Sequence, residues 1–598
     1  MLLLIPFSYR PYLSFWGNAE RMEGFWGLLH FLMWFWVLYI LFKIDPEYKK
    51  TIFYSFLIVL YIVSLIEISQ KLKGTIRPDS TFGNPTYIGF FSVLMFFLCL
   101  YFLKDSNYFE KSVIFVGILF SILNIFISET RGSIVALIIA IPISVLYYFL
   151  SSRVKLSVKI ISTILIFSLI IFLFLFIKSP YAKNLPLFGR LHDTLYDPKA
   201  YMARWLAWNI FINAWGKEPI IGYGLENSPI AYFKAFNPEI YNYEEVIFDR
   251  PHNKYIEILV TTGIIGAIFW FLFYLSVFIS IFRDEKDRYL KSTLLGLFLG
   301  YLGQNLTLFD IQASYLPLFF GLSLVSIPIQ SEKKVKIERL SLKILVMGLT
   351  LIGILLNLYH FYIAMEIINA LNSPYPLGFY KFQRLISIGS NFIPEIANMT
   401  ARYLEANISK ISTIKEAHEF TKIYLEALKK DPYDSRLYNI VLIHLSRIIN
   451  AKKANKMDYT FEKNISLNLY KNYLTLYPNY PDIYLDYARF LQGLGEKEKA
   501  IKILEGIRIK YRESPRVLFL LANLYYLIDE KEKAFNLMEE TIARGLYPEN
   551  QIQYLIVLRI LKDRDNEKFY RFLNEYKSKF NDSESLKILD TILKNNKL

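Results

Sequence analysis

Ten stretches of this chain are too apolar and too long to sit inside a water-soluble core. A helix rises about 1.5 Å per residue, so roughly 20 apolar residues cross the hydrocarbon of a bilayer. By that measure spanning helices are predicted at 25–43, 51–70, 86–103, 112–128, 133–150, 158–178, 254–282, 291–309, 311–328 and 341–362. The only long connection among them is 179–253. Loops of that length inside a compact domain are usually functional. The fold class is all-α: a polytopic membrane helix bundle of about ten spans, with something soluble attached.

Lysine and arginine set the orientation, because cytoplasmic loops carry the excess. Alternate connections hold Lys43, Lys49 and Lys50; Lys104 and Lys111; Arg153, Lys155 and Lys159; Arg283, Lys286, Arg288 and Lys291; and Lys333, Lys334, Lys336, Arg339 and Lys343. The opposite short loops hold only Lys71, Lys73, Arg77 and Arg131. The first set is expected to be cytoplasmic, which places the long loop and the tail after the tenth helix outside. The N-terminus is then outside as well, so the start is re-entrant or the chain lacks upstream helices. "MLLLIPFSYRPYL" has no basic start and too short an apolar part for a cleavable signal. The net charge of +15 reads as attraction to anionic lipid, with no nucleic acid as partner. The single cysteine, Cys99, lies in an apolar run and excludes a disulfide or a zinc-finger spacing.

From about residue 400 the chain is polar and repeats itself. "PDIYLDYARFLQGLGEKEKAIKIL" from Pro481 and "PRVLFLLANLYYLIDEKEKAFNLM" from Pro515 are offset by 34 residues. Ala488 falls on Ala522, and the "EKEKA" ending at Ala500 falls on the one ending at Ala534. Period 34, with small residues where paired helices touch, is the tetratricopeptide signature. A weaker unit surrounds "IYLEALKKDPYDSRLYNIVL", and another is expected from about Pro548. The predicted domains are therefore 1–365 in the membrane, 366–400 as a linker and 401–598 as an α-solenoid of tetratricopeptide repeats, whose groove suits a protein partner.

Chemistry is expected on the outer side. Arg77 lies in "KGTIRPDSTFGNPTYIGF", Arg131 in the tight turn "SETRGSIVAL" and Arg204 in the amphipathic "YMARWLAWNIFINAW". Each could snorkel or pair with Glu129 or Asp79. Three on one side, among aromatic, glycine and hydroxyl neighbours, also suit bidentate binding of a lipid-linked phosphate. His252, in "RPHNKYIEILVTTGIIG", is either a cap at the start of a helix or a general base near neutral pH. His192 is a reserve candidate in the same loop. Glu257 is expected to pair with an arginine or orient a loop. "GYGLENSP" at 222–229 has two close glycines, but no dinucleotide-binding context follows, so as a phosphate motif it is weak. No HExxH or Walker pattern occurs, and no DxD before the repeats, so neither a metal nor a cofactor is expected.

In order, "RPDSTFGNPTYIGFF", "TRGS", "ARWLAW", "GYGLENS" and "PHNKYIEILVTTGIIG" resemble the O-antigen ligase and polymerase superfamily, over most of 20–330. The family pattern His-Asn, nine residues, Gly-x-x-Gly is present as His252-Asn253, Gly263 and Gly266. At the start the chain departs from the family: "FWGNAERMEGFWGLL" resembles a segment that normally follows several helices. The resemblance implies a GT-C-like bundle and an inverting, metal-independent transfer of a glycan from undecaprenyl diphosphate to an acceptor hydroxyl. It implies a bacterial inner membrane, with the active site and the repeats in the periplasm. His252 falls on the family histidine, Arg131 and Arg204 on its diphosphate-contacting arginines, and Arg77 on a third position. The acceptor could be lipid A core (a ligase), a second lipid-linked glycan (a polymerase) or a protein hydroxyl (an O-oligosaccharyltransferase). A transporter or scaffold for the same lipid-linked sugar is the non-enzymatic alternative.

Overall fold

The computed structural model describes residues 2–595 apart from 19–20, 198, 244–246, 284–285, 326–339, 389–391, 412, 512–513, 549 and 563. Every regular element among the described residues is helical. The chain divides into two compact units: Met1–Tyr232 with Phe248–Asn357, and Phe233–Ile247 with Leu358–Leu598.

Eight helices among the described residues are long and apolar enough to cross a membrane: Phe25–Ile44, Tyr48–Leu72, Pro85–Leu103, Tyr108–Ile127, Arg131–Ser151, Leu156–Lys178, Lys254–Arg283 and Leu351–Leu371. Leu156–Lys178 turns most of its Ile, Leu and Phe outward, as a helix bathed in lipid must. The predicted spans at 291–309 and 311–328 take another form. They are the helices Arg288–Gln304 and Gln312–Ser323, of 17 and 12 residues. Both are mostly buried in protein, so their apolarity reflects the core of the bundle and not contact with lipid. Residues 326–328 of the second expected span, and Lys333, Lys334, Lys336 and Arg339 of the predicted cytoplasmic set, lie outside the described residues.

Small residues let Arg288–Gln304 lie against its neighbours. A Cβ on Gly303 would stand 2.9 Å from the Ala136 Cα, and one on Gly300 would stand 2.9 Å from Val93 Cγ1. In a bundle without a hydrophobic drive between helices, such close backbone packing does much of the holding. Where helices meet at the lysine-rich end of this unit, Lys50 faces Glu110 at 3.8 Å, Lys104 pairs with Asp287, and the Tyr289 hydroxyl donates to Leu100 O at 2.7 Å. Residues 9–18 pack on the long loop: Tyr9 N donates to Tyr223 O at 3.2 Å and Ser14 Oγ to Leu225 O at 2.8 Å.

The second unit stacks helix pairs, including Pro481–Leu494 with Lys497–Arg508, Pro515–Leu527 with Lys531–Ala543, and Gln551–Leu561 with Asn566–Lys579. Ala488, Ala500, Ala522 and Ala534 are at most 1% exposed, at the helix crossings that the repeat pattern reserves for small residues. The weaker unit is also a pair, Ile414–Lys430 with Ser435–Ala454. Helices Leu377–Ser387 and Ile393–Ala406 precede it. Residues 233–247 of the long loop belong to this unit. Phe233 packs on Tyr480 at 4.8 Å, and the Tyr241 hydroxyl reaches Asp482 at 3.4 Å.

Candidate functional site

Arg77 lies in the loop before Pro85–Leu103, Arg131 opens Arg131–Ser151, and Arg204 lies in the helix Lys199–Trp215. All three are half-buried and converge at one end of the membrane unit. Arg131 feels the charges of Arg204, Arg190 and Arg77, and Arg77 feels those of Arg190 and Arg204. Arg190, in the short helix Pro186–Tyr196, was not singled out from sequence. Hydrogen bonds aim the group. Arg77 Nε donates to Ser128 O at 3.2 Å, Arg131 Nη1 to Thr194 Oγ1 at 2.6 Å and Arg190 Nη1 to Glu129 O at 2.6 Å. Burial, and then Arg190, hold the Arg77 guanidinium below the usual arginine range, with Glu129 opposing. Such crowding of cations is costly without an anion among them, and guanidinium forks match phosphate oxygens.

His252 stands within the field of Arg204. Its backbone is left-handed, with φ +50°. The ring lies between Phe248, at 5.8 Å, and Phe309, at 5.2 Å. It does not cap the helix that follows. Asn253 does so, its Oδ1 accepting from Tyr255 N at 3.0 Å and Ile256 N at 3.2 Å. The imidazole is thereby released from the capping role. Burial and then Arg204 push it down to about 4, with Arg21 adding and Asp249 and Glu257 opposing. At neutral pH it is uncharged and able to accept a proton. His192, on the short helix, sits against Tyr196 at 4.6 Å and near Asp193 at 3.7 Å.

Beside His252 lies a buried ion cluster. The Arg250 guanidinium pairs with Glu23, with Glu226 at 2.8 Å and with Glu257 at 3.0 Å. Burial opposes its charge, but Glu226, Glu23 and Glu257 outweigh that and raise Arg250 well above the arginine range. Glu257 thus pairs with an arginine, one of the two expected roles. Lys254 bridges Glu257, at 3.5 Å, to Asp310, at 3.4 Å.

The two-glycine stretch has a structural use. The helix Lys254–Arg283 breaks at Gly263, where φ is +62° and ψ −169°. The break frees two carbonyls and two amides, which must be satisfied within the protein. Residues 219–224 do this. Tyr223 N donates to Val260 O and Gly224 N to Thr261 O, both at 2.8 Å. Ile264 N donates to Pro219 O at 2.9 Å and Ile265 N to Ile220 O at 3.3 Å. A Cβ on Gly222 would stand 2.6 Å from both Gly263 N and Val260 O, so the segment approaches only without one. "GYGLENS" and Gly263 are two halves of one joint.

Arg190, Arg250, Trp208 and Phe309 were not picked out as site residues from sequence. Arg190 carried a readable signal: an arginine among Phe188, Gly189 and His192 in the same outward loop. The pairing of Arg250 with Glu23 and Glu226 had none. Residues 116–271 match the family described as O-antigen ligase, and residues 466–544 match a tetratricopeptide repeat family. The first match contains Arg131, Arg190, Arg204 and His252 and runs past Gly266, while Arg77 precedes it. No curated protein matches the chain. This is a multi-pass membrane protein carrying an O-antigen ligase family region followed by tetratricopeptide repeats.

Proposed function

We propose that the protein transfers a glycan from undecaprenyl diphosphate to an acceptor hydroxyl, with inversion and without a metal, at the periplasmic face of the bacterial inner membrane. One observation carries the reading: guanidinium groups from four separate segments gather at one end of the bundle, with an imidazole beside one of them. Arg77, Arg131, Arg190 and Arg204 hold the diphosphate and take up the charge that grows on it as the bond from the anomeric carbon to the phosphate oxygen breaks. The acceptor oxygen attacks that carbon from the opposite face and gives its proton to the neutral imidazole of His252.

Beneath the arginines is an apolar crevice of about 210 Å³, lined by Phe126, Ile134, Ile138, Leu173, Ile177 and Phe188. Phe188 lies two residues before Arg190, and Ile134 three after Arg131. A polyprenyl chain in this crevice leaves its diphosphate at the guanidinium groups. The lysine-rich connections at the other end of the unit support the outward assignment of the site. In the second unit, a hollow of about 370 Å³ lined by Asn439, Arg447, Tyr470, Tyr473, Arg489 and Phe490 suits a protein that presents or organises the acceptor. This favours a ligase or protein O-oligosaccharyltransferase that works with a protein partner. A polymerase would use the same chemistry on a second lipid-linked glycan. A transporter needs charged groups along a path through both leaflets, and the arginines sit at one end.

The test is release of undecaprenyl diphosphate from a labelled donor by purified protein in lipid nanodiscs. His252→Ala and Arg204→Ala are each expected to lower the rate by roughly 10²–10⁴, the usual span for a general base or a charge-stabilising donor. A wild-type rate in His252→Ala would remove the base assignment, and absence of any release would favour a scaffold.

A further inference from the structure

The mechanism leaves unexplained how an imidazole is kept beside Arg204 on a left-handed backbone that few non-glycine residues adopt. A left-handed φ at a non-glycine residue persists only where its surroundings over-determine it. Around His252 they do. On its N-terminal side, Arg250 is 4% exposed, and its guanidinium is enclosed by carboxylates from three segments: Glu23, Glu226 and Glu257. The Pro251 carbonyl accepts a hydrogen bond from Trp208 Nε1 at 2.7 Å. On the other side, Lys254 N donates to Asn305 O at 2.9 Å and Asn253 Nδ2 to Leu306 O at 3.2 Å. Phe309 is shared: Arg21 lies over it at 4.5 Å, Arg250 at 5.0 Å, and the His252 ring packs on it at 5.2 Å.

Trp208 is the informative member. It follows Arg204 by four residues in one helix, so both side chains leave the same face one turn apart. The turn that carries the Arg204 guanidinium therefore also sets the height of the carbonyl just before His252. Indole is a donor with no acceptor capacity, so the bond has one sense only.

We propose that Trp208 and Arg250 are positioning residues for His252, with the indole tying the histidine loop to the helix that carries Arg204 and the three-carboxylate cage fixing the loop's direction. The inference rests on His252 being the base. Arg250 and Trp208 act through the backbone and touch neither donor nor acceptor.

Trp208→Phe keeps the aromatic bulk and removes only the donor. With full-length protein in nanodiscs and labelled donor, it is expected to lower kcat by about 10–100-fold, since an ångström of misplacement costs on that order. The KM for donor stays within about twofold, because the arginines are untouched. A structural role alone would leave the pH profile in place. Here the acid limb of kcat/KM moves up from about 4 toward the ordinary 6.5 as the ring loses its burial and then the field of Arg204, with Asp249, Arg21 and Glu257 its other charged neighbours. Arg250→Lys keeps the charge but not the three-way grip, and is expected to lower kcat in the same way.

Wild-type kcat and pH profile in Trp208→Phe, with His252→Ala inactive, overturns the positioning role. So does a raised KM at unchanged kcat. Full activity in His252→Ala instead overturns the base assignment on which the proposal stands.

Discussion

Replacing Gly263 by alanine attacks the joint that brings the long loop onto the broken helix, and the structure sets its cost. The Gly263 backbone, φ +62° and ψ −169°, lies in a region open essentially to glycine alone. Holding alanine there costs roughly 1–3 kcal/mol. The new methyl would collide with the Ile220 carbonyl and stand 2.6 Å from Ile221 N. Both are backbone atoms, so no rotamer change relieves the clash. Moving 219–224 away stretches the four hydrogen bonds across the break, and losing two of them adds roughly 1–3 kcal/mol. The sum is about 2–6 kcal/mol. At roughly 2–4 °C per kcal/mol, the apparent unfolding midpoint of detergent-solubilised protein is expected to fall by roughly 4–24 °C. Transfer activity falls with it, because the displaced segment leads directly into Glu226, a partner of Arg250 beside His252. Gly353→Ala is the control. Its added methyl would stand 3.8 Å from the Trp26 ring, an ordinary contact, so no comparable drop is expected. If Gly263→Ala melts with the wild type and Gly353→Ala, the segment 219–224 is not what satisfies the break.

Other outcomes are open to measurement. Because burial and Arg204 hold His252 down to about 4, its neutral form prevails above that pH; kcat/KM is expected to be flat near neutrality and to fall as pH drops through about 4. A bound diphosphate offsets Arg204, so the acid limb of kcat lies at higher pH than that of kcat/KM. Arg190→Ala is expected to raise the KM for labelled donor about tenfold or more, as loss of one charge-assisted contact does; an unchanged KM removes Arg190 from the donor site. Ala522→Leu, at a position 1% exposed, overpacks the repeat crossing and is expected to destabilise the second unit by about 1–3 kcal/mol, seen as faster proteolysis of the tail in full-length protein.

Features that depend on neighbouring residues could be read from the chain alone. Long apolar runs marked the spans, a 34-residue offset marked the repeats, and Asn253, Gly263 and Gly266 kept a fixed spacing from His252. Each is a local pattern, and periodicity and hydropathy are local quantities. Arg77, Arg131 and Arg204 could be placed on one side of the bundle because topology alternates from loop to loop. Only tertiary structure decided what those residues meet. Arg250 pairs with Glu23 across 227 residues, and Arg131 meets Thr194 across 63. No local pattern encodes partners at that separation. Whether Arg288–Gln304 and Gln312–Ser323 face lipid or protein was likewise a matter of packing, since an apolar helix looks the same in sequence whichever apolar surroundings receive it.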